Sequence, residues 1–430
     1  MRVAFYTLGC KVNQYDTSAM QAVLAQRGHK IVPFEQSADA YVINTCTVTQ
    51  ESDRKARQLI GRAKRRNPQA AVILCGCYAQ RDAAHVLALE GVDAVAGTLY
   101  RNRIEDVVLA ARPGEKHNFV QAFDTQVDFE ESCGAVPERA RAHVKVQEGC
   151  DRHCTYCIIP ASRGPIRSRS TQGVAREVQQ MAQQGHREVV LTGIRLASYG
   201  REYGGTLMDA IDAAAQTDIA RIRLGSLDPD EMTDALIDRM AACEKLCPHF
   251  HLSLQSGSDT VLHRMARRYT AAQFAHVVER IRARFPLAAF STDVMAGFVG
   301  ETETEFLQTC DFVQRIGFMK LHVFPYSRRA GTAADRMAGH LPQAVKQQRA
   351  RELIRIGEAL EAQFAHSCIG QTHEVIFEQQ VDGAMEGHAE NYLRVRAPLD
   401  PSAFSQLRTV VLTGASGALG LCRETSTLAK

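Results

Sequence analysis

Three short apolar runs, residues 3–8, 40–44 and 71–74, punctuate the start of the chain, and helix-length segments at 16–27 and 53–66 separate them. The rhythm is strand, helix, strand, helix, strand, which predicts a parallel α/β sheet. Between 111 and 137 the periodicity lapses and Pro, Gly and acids gather, so this stretch reads as a linker with at most one short extended piece. The alternation then resumes and repeats six times. Strands are expected at 142–146, 188–192, 221–224, 249–254, 289–294 and 321–325, with helical patterns such as 171–184 between them. Six βα units predict an open, partial (β/α)6 barrel with its chemistry at the C-terminal strand ends. After a polar helical stretch ending near Ala365 come short alternating runs separated by Gly and polar turns, as in a small antiparallel β-barrel. The expected organisation is an N-terminal α/β domain over 1–112, a linker over 113–137, the partial barrel over 138–365 and the small β-barrel over 366–430.

At 430 residues and 45% hydrophobic composition, the chain can build about three domains with cores of their own. Thirteen cysteines are too sparse for a disulfide scaffold at this length, and several fall at ligand-like spacings, which points to a reducing compartment. The first residues lack the apolar core and cleavage site of a signal peptide, and no run approaches the roughly 20 apolar residues of a membrane span. A cytoplasmic location with no membrane partner is expected. The net charge of +3 does not by itself imply nucleic acid, which must be argued from local basic clusters.

Residues 148–170, EGCDRHCTYCIIPASRGPIRSRS, hold Cys150, Cys154 and Cys157 in the spacing C-x3-C-x2-C, with Tyr156 before the last. This is neither the paired pattern usual for zinc nor the four-cysteine run of ferredoxins. Soft thiolates point to an iron-sulfur cluster, and three local ligands leave one iron of a [4Fe-4S] cluster open. A second set is less obvious. Each of the first three expected strands runs into a cysteine: LGC at Cys10, NTC at Cys46 and CGC at Cys77. Parallel strands with right-handed crossovers open their C-termini on one edge, so these three thiols are expected to meet as a second three-thiolate cluster site. Small cysteines that merely pack at strand ends are the plainer alternative. Cys133, in the linker, reads as a bystander.

The stretch around Cys150 resembles the radical S-adenosylmethionine (SAM) superfamily. The resemblance implies that the open iron binds the amino and carboxylate groups of SAM and that the cluster cleaves it to a 5′-deoxyadenosyl radical. TLGCKVNQYDT, INTCTVT and GCYAQR resemble the N-terminal domain of the methylthiotransferases, and all six cysteines match that family residue by residue. This implies two [4Fe-4S] clusters, the auxiliary one held by Cys10, Cys46 and Cys77 and used in sulfur insertion. Cys77 rather than Cys75 is the ligand implied, because it follows Gly76 in the GCYAQ pattern. LTGIRLASYG, RIRLGSLDP, HLSLQSGSDTVLHRMARRYT, STDVMAGFVGETE and FPYSRRAGT are similar to the family's barrel. They imply SAM lying across the barrel mouth, with Tyr156, Gly193, Ser226 and Gln255 as candidate contacts. Arg195, Asp228 and Val299 depart from the residues relatives often carry. The last segment resembles the TRAM domain, an oligonucleotide-binding-like module that grips RNA.

Two basic clusters bear on the partner. Arg54, Lys55, Arg57, Arg62, Lys64, Arg65 and Arg66 crowd the second helical segment, where bases either face water or meet RNA. Arg163, Arg167 and Arg169 follow the cysteine loop and are expected to hold RNA phosphates or the SAM carboxylate. The resemblance implies a tRNA methylthiotransferase that inserts sulfur and a methyl group at C2 of a modified adenosine next to the anticodon. Its implied partners are the tRNA anticodon stem-loop, a flavodoxin- or ferredoxin-like electron donor and a sulfur donor. CKVNQYDT resembles the branch acting on N6-threonylcarbamoyladenosine; the branches acting on isopentenyladenosine and on a ribosomal protein are the alternatives. A non-catalytic iron-sulfur redox protein that binds RNA would carry the clusters without cleaving SAM.

Overall fold

A computed structural model describes residues 1–47, 50–123, 127–132 and 140–424. The N-terminal domain is one wholly parallel sheet in the order Lys30–Val32, Arg2–Thr7, Ala40–Thr45, Ala71–Gly76, Ala94–Ala96, His117–Phe119. Ala40–Thr45 and Ala71–Gly76 are buried along their whole length, which is why they read as unbroken apolar runs rather than alternating ones. The helix Gln50–Arg66 buries Ala56, Leu59, Ile60 and Ala63 and turns Lys55, Arg57, Arg62 and Arg65 outward. Lys30–Val32 and Ala94–Ala96 escaped the periodicity reading. His117–Phe119 lies within the expected linker yet forms the edge of this sheet. Cys133 lies outside the described residues.

The six strands expected for the barrel form two parallel sheets. Arg141–Lys145, Glu188–Thr192 and Arg221–Leu224 make one; His249–Leu252, Ala289–Ala296 and Lys320–Pro325, joined by the short Ser226–Leu227, make the other. A single bridge between Ile222 and Leu246, with Cys247 N donating to Ile222 O at 2.8 Å, connects them. Alternate side chains such as Val144, Val189, Ile222 and Phe250 point out into a core shared with the flanking helices. The helices start where Ser170, Thr233, Thr270 and Thr302 accept backbone N–H groups as N-caps. By the two-residue period of a strand, His143, Lys145, Glu188, Arg223, His249 and His251 therefore line the interior. The lumen is charged rather than oily.

The helix Gln343–Ser367 leads from the last barrel strand into a closed five-stranded barrel in the order Thr372–Val381, Ala384–Ala389, Arg394–Pro398, Leu419–Glu424, Leu407–Ser416. It has its own apolar core. The antiparallel expectation holds for every pair but one: Arg394–Pro398 closes on Leu419–Glu424 in parallel. Among the described residues no helix is long and apolar enough to cross a membrane.

Candidate functional site

The C-terminal edge of the N-terminal sheet brings Cys10, Cys46 and Cys77 to one place. Cys10 caps the helix Lys11–Gln26, Cys46 directly follows Ala40–Thr45, and Cys77 opens the short helix Cys77–Arg81. Two glycines permit the approach. A Cβ on Gly9 (φ +115) would lie 2.9 Å from Cys46 Cβ, and one on Gly76 (φ +89) would strike Asn44 Oδ1 at 2.3 Å and Thr45 O at 2.7 Å. Asn13 ties the edge together: its Nδ2 donates to Leu8 O at 3.0 Å and to Thr45 O at 3.1 Å, and Cys10 Sγ lies 3.6 Å from its Oδ1. Burial pushes the Cys77 thiol up to about 12, with Cys46 and Cys10 adding to the rise and Arg163 opposing it. Cys75 instead sits in the apolar core with Val3, Phe5 and Met20, and burial raises its pKa.

The second triad rides on one loop stitched to the barrel mouth. A Cβ on Gly149 (φ +77) would fall 1.7 Å from Pro165 O, and Cys150 N donates to Gly164 O at 3.0 Å. Arg152 N donates to Cys150 Sγ at 3.4 Å and Cys157 N to Cys154 O at 2.9 Å. Thr155 N donates to Met265 O at 3.1 Å and Ala334 N to Thr155 O at 2.7 Å. Burial pushes Cys157 up to about 12, with Cys154 and Cys150 reinforcing it against a backbone bond from Ile159.

One short helix joins the triads. Ile159–Arg163 begins just past Cys157, packs on Cys77–Arg81, and ends with Arg163 Nε donating to Cys77 Sγ at 3.1 Å. The helix is five residues long, about 7.5 Å of rise. Arg163 is fully buried, its Nη2 donating to Asn13 Oδ1 at 2.7 Å and its Nη1 to Asp16 at 2.8 Å and Glu148 at 3.3 Å. Lys145 (2.6 Å to Asp16, 3.0 Å to Glu148) and Arg101 (3.4 Å and 3.3 Å) complete the network. Burial alone would raise both carboxyl pKa values; the three cations outweigh it and hold them below the usual range.

The three arginines expected at phosphates or at the SAM carboxylate are thus placed otherwise. None is more than 3% exposed. Arg167 donates to Arg163 O and Pro165 O, each at 3.0 Å; Arg169 pairs with Glu177 and, at 2.8 Å, with Glu131. The chain turns at Gly164 (φ +70), between Arg163 and the other two, and all three side chains are buried. The helix Gln50–Arg66, not this segment, presents exposed bases.

Of the expected SAM contacts, Gln255 is held at φ +68 between Asp293 O (2.8 Å) and Met295 N (2.9 Å), with its buried Oε1 lacking a partner. An unpaired acceptor at a barrel mouth suits an N–H or O–H of a ligand. A Cβ on Gly193 would meet Gln147 Oε1 at 2.8 Å, Ser226 is exposed, and Tyr156 is half-buried, edge-on to Phe298 at 6.3 Å. Arg195 and Asp228, the departures, form one network: Arg195 pairs with Asp151 and Glu231 and lies 3.4 Å from Asp228. Arg267, which the motif reading passed over, reaches Asp228 at 2.9 Å and Cys154 Sγ at 3.6 Å. Each triad thus has one guanidinium on one sulfur. Among the described residues no three His, Cys, Asp or Glu side chains converge as ligands of a single ion; a cluster, in which each thiolate holds its own iron, does not require that. The donor chemistry fits iron-sulfur centres.

Residues 2–97 match the family described as "Uncharacterized protein family UPF0004" and residues 144–313 the "Radical SAM superfamily". The chain is 39% identical over 404 residues to the threonylcarbamoyladenosine tRNA methylthiotransferase MtaB of Bacillus subtilis, covering 91% of this chain and 89% of that protein. It is 34% identical to the tRNA-2-methylthio-N(6)-dimethylallyladenosine synthase of Carboxydothermus hydrogenoformans, covering 86% and 87%. In fold it is similar to the radical S-adenosylmethionine methyltransferase TsrM of Kitasatospora setae, with a TM-score of 0.56 at 14% identity over 75% of this chain and 72% of that one.

Proposed function

We propose, for a chain that belongs to the tRNA methylthiotransferase family of radical SAM enzymes, that it methylthiolates C2 of N6-threonylcarbamoyladenosine next to the anticodon, giving the 2-methylthio derivative. The observation that carries the reading is the helix Ile159–Arg163, which sets one cysteine triad against the other. Cys150, Cys154 and Cys157 would hold the [4Fe-4S] cluster that binds SAM, and Cys10, Cys46 and Cys77 an auxiliary [4Fe-4S] cluster. When bound, these groups supply one-electron cleavage of SAM and the sulfur to be inserted.

The protein's own share is positioning. Gln255 Oε1 offers SAM an acceptor, and the absence of a side chain at Gly193 lets Gln147 pack against the strand end beside it. Arg267 reaches Cys154 Sγ at 3.6 Å, and Arg163 donates to Cys77 Sγ at 3.1 Å and opposes the rise that burial gives that thiol. The exposed bases of Gln50–Arg66 and the C-terminal barrel, which resembles a TRAM domain, are the surfaces for the anticodon stem-loop. A flavodoxin- or ferredoxin-like protein would deliver electrons and a separate sulfur donor would restore the auxiliary site.

Anaerobic reconstitution followed by SAM, dithionite and an anticodon stem-loop bearing N6-threonylcarbamoyladenosine tests this. The expected products are 5′-deoxyadenosine and the 2-methylthio nucleoside, read by mass spectrometry. Cys154→Ala is expected to abolish SAM cleavage, and Cys46→Ala to spare some cleavage while stopping thiolation. Equal loss of cleavage in both would sink the separation of roles, and no cleavage with any anticodon loop would favour a passive redox protein.

A further inference from the structure

Against the inner face of the barrel strands lies a cavity of about 380 Å³, within the range of small-molecule sites. Its walls come from all three domains: Lys11 from the N-terminal helix, His249, His251 and His322 from the barrel strands, and Tyr392 and Arg394 from the C-terminal barrel. Lys11 and Tyr392 also line an adjoining cavity with Arg141 and Arg223. Lys11 directly follows Cys10, one of the three thiols of the proposed sulfur site.

Most cations around it are already paired. Arg141 lies 2.8 Å from Glu378, Arg223 is 2.7 Å from Glu188, and Lys320 is 2.6 Å from Glu361. The acid nearest the histidines, Asp293, lies 3.3 Å from His251. The side chains of Lys11 and Arg394, in contrast, make no hydrogen bond or ion pair among the described residues. His249 is 5% exposed; its Nε2 meets Ser291 Oγ at 2.9 Å, while its Nδ1 is buried without a partner. Tyr392 is held at φ +70 and stacks on His249 at 4.6 Å and on His388 at 4.7 Å. A side chain kept in so unfavourable a backbone conformation by its neighbours marks a functional wall. Two unpaired cations and an unsatisfied imidazole nitrogen call for an anionic, hydrogen-bonding occupant.

We propose that this cavity receives the N6 substituent of the target adenosine and recognises its carboxylate, with Lys11 as the principal specificity-determining residue and Arg394 in support. The inference rests on the methylthiotransferase reading above and goes beyond it. C2 and C6 of adenine flank the same ring nitrogen, so a base that presents C2 to the sulfur site keeps its N6 arm on the same edge of the ring, and the cavity that Lys11 lines would take that arm. The threonylcarbamoyl arm ends in a carboxylate and a hydroxyl; the isopentenyl arm is neutral and apolar and would leave both cations and the imidazole unpaired.

The test uses the full-length reconstituted enzyme and three synthetic anticodon stem-loops, carrying N6-threonylcarbamoyladenosine, its carboxamide analogue, or isopentenyladenosine. Binding is read by fluorescence anisotropy and product by mass spectrometry. The acid loop is expected to bind about tenfold or more tighter than the amide loop. Lys11→Gln is expected to abolish that preference while leaving the amide loop within about twofold of its original affinity. Arg394→Gln, at an exposed position, is expected to reduce the preference partially, and circular dichroism and iron content show that each variant is folded and loaded. Equal binding of acid and amide loops, or equal weakening of both by Lys11→Gln as contact with a backbone phosphate would give, overturns the inference. Product from acid and amide loops at one rate overturns this inference alone; product from the isopentenyladenosine loop and none from the acid loop overturns the functional reading with it.

Discussion

Cys150, Cys154 and Cys157 share one loop, whereas Cys10, Cys46 and Cys77 come from three strand ends of a parallel sheet. Covalent continuity keeps the first set together, and backbone bonds to Met265 and Ala334 only aim it. The second set exists only while the sheet keeps its register and Gly9 and Gly76 keep their left-handed turns. Their arginines differ accordingly. Arg163 is buried in a network that joins two domains, while Arg267 sits on the rim with Asp228. One site is a motif carried by a fold, and the other is made of the fold.

The contrast is broken most directly at the arginines. Arg163→Met removes one of three cations from the buried Asp16 and Glu148 and is expected to cost about 3–5 kcal/mol of stability, measured by chemical denaturation of the metal-free protein. Arg267→Met is expected to cost about 1–2 kcal/mol, because Asp228 keeps Arg195. Similar losses from both would mean the two sites are equally woven into the fold.

Next in size come the glycines. Gly76→Ala places a Cβ against the backbone oxygen of Thr45 and is expected to cost about 2 kcal/mol, with roughly half the iron lost on reconstitution and SAM cleavage retained. Gly149→Ala is expected to lose the other half of the iron together with SAM cleavage. Iron analysis and electron paramagnetic resonance separate the outcomes; loss of both centres in each variant would erase the distinction.

The smallest effect is expected far from both triads, in the C-terminal barrel. Burial lowers the His373 pKa, but Cys368 and Glu390, the latter 2.7 Å away, outweigh it and raise it to about 9. The group is protonated more readily folded than unfolded. Its stabilisation is therefore complete below the ordinary imidazole pKa of about 6.5 and lost as pH rises through 9. Denaturation midpoints should fall between pH 7 and pH 9.5, and His373→Gln should flatten that dependence. An unchanged slope in the variant would place the pH-sensitive contact elsewhere, closer to the triads.

Much of this architecture could be read from the chain alone. Strand and helix periods located all six barrel strands and the three long N-terminal strands, because those elements bury whole faces and burial leaves a repeating trace. The C-x3-C-x2-C loop was visible for a similar reason: its geometry is set by the chain between its members. Lys30–Val32, Ala94–Ala96 and His117–Phe119 are too short to show a period, and the parallel closing pair of the C-terminal barrel has no local signature.

Local sequence thus determined which segments are strands and helices, where three cysteines cluster, and that three more lie at the ends of parallel strands. Tertiary structure decided what the charges do. Arg163, Arg167 and Arg169 look like a phosphate-binding run in sequence, but in space Arg163 pairs with Asp16 and Glu148, Arg169 with Glu177, and Arg167 donates to the backbone; Lys11, plain in sequence, ends up unpaired beside Tyr392 from the far end of the chain. The physical reason is that a charged side chain takes its role from burial and from partners that the fold brings to it, such as Asp16 for Arg163 across 147 positions, and neither is written in the spacing of its neighbours.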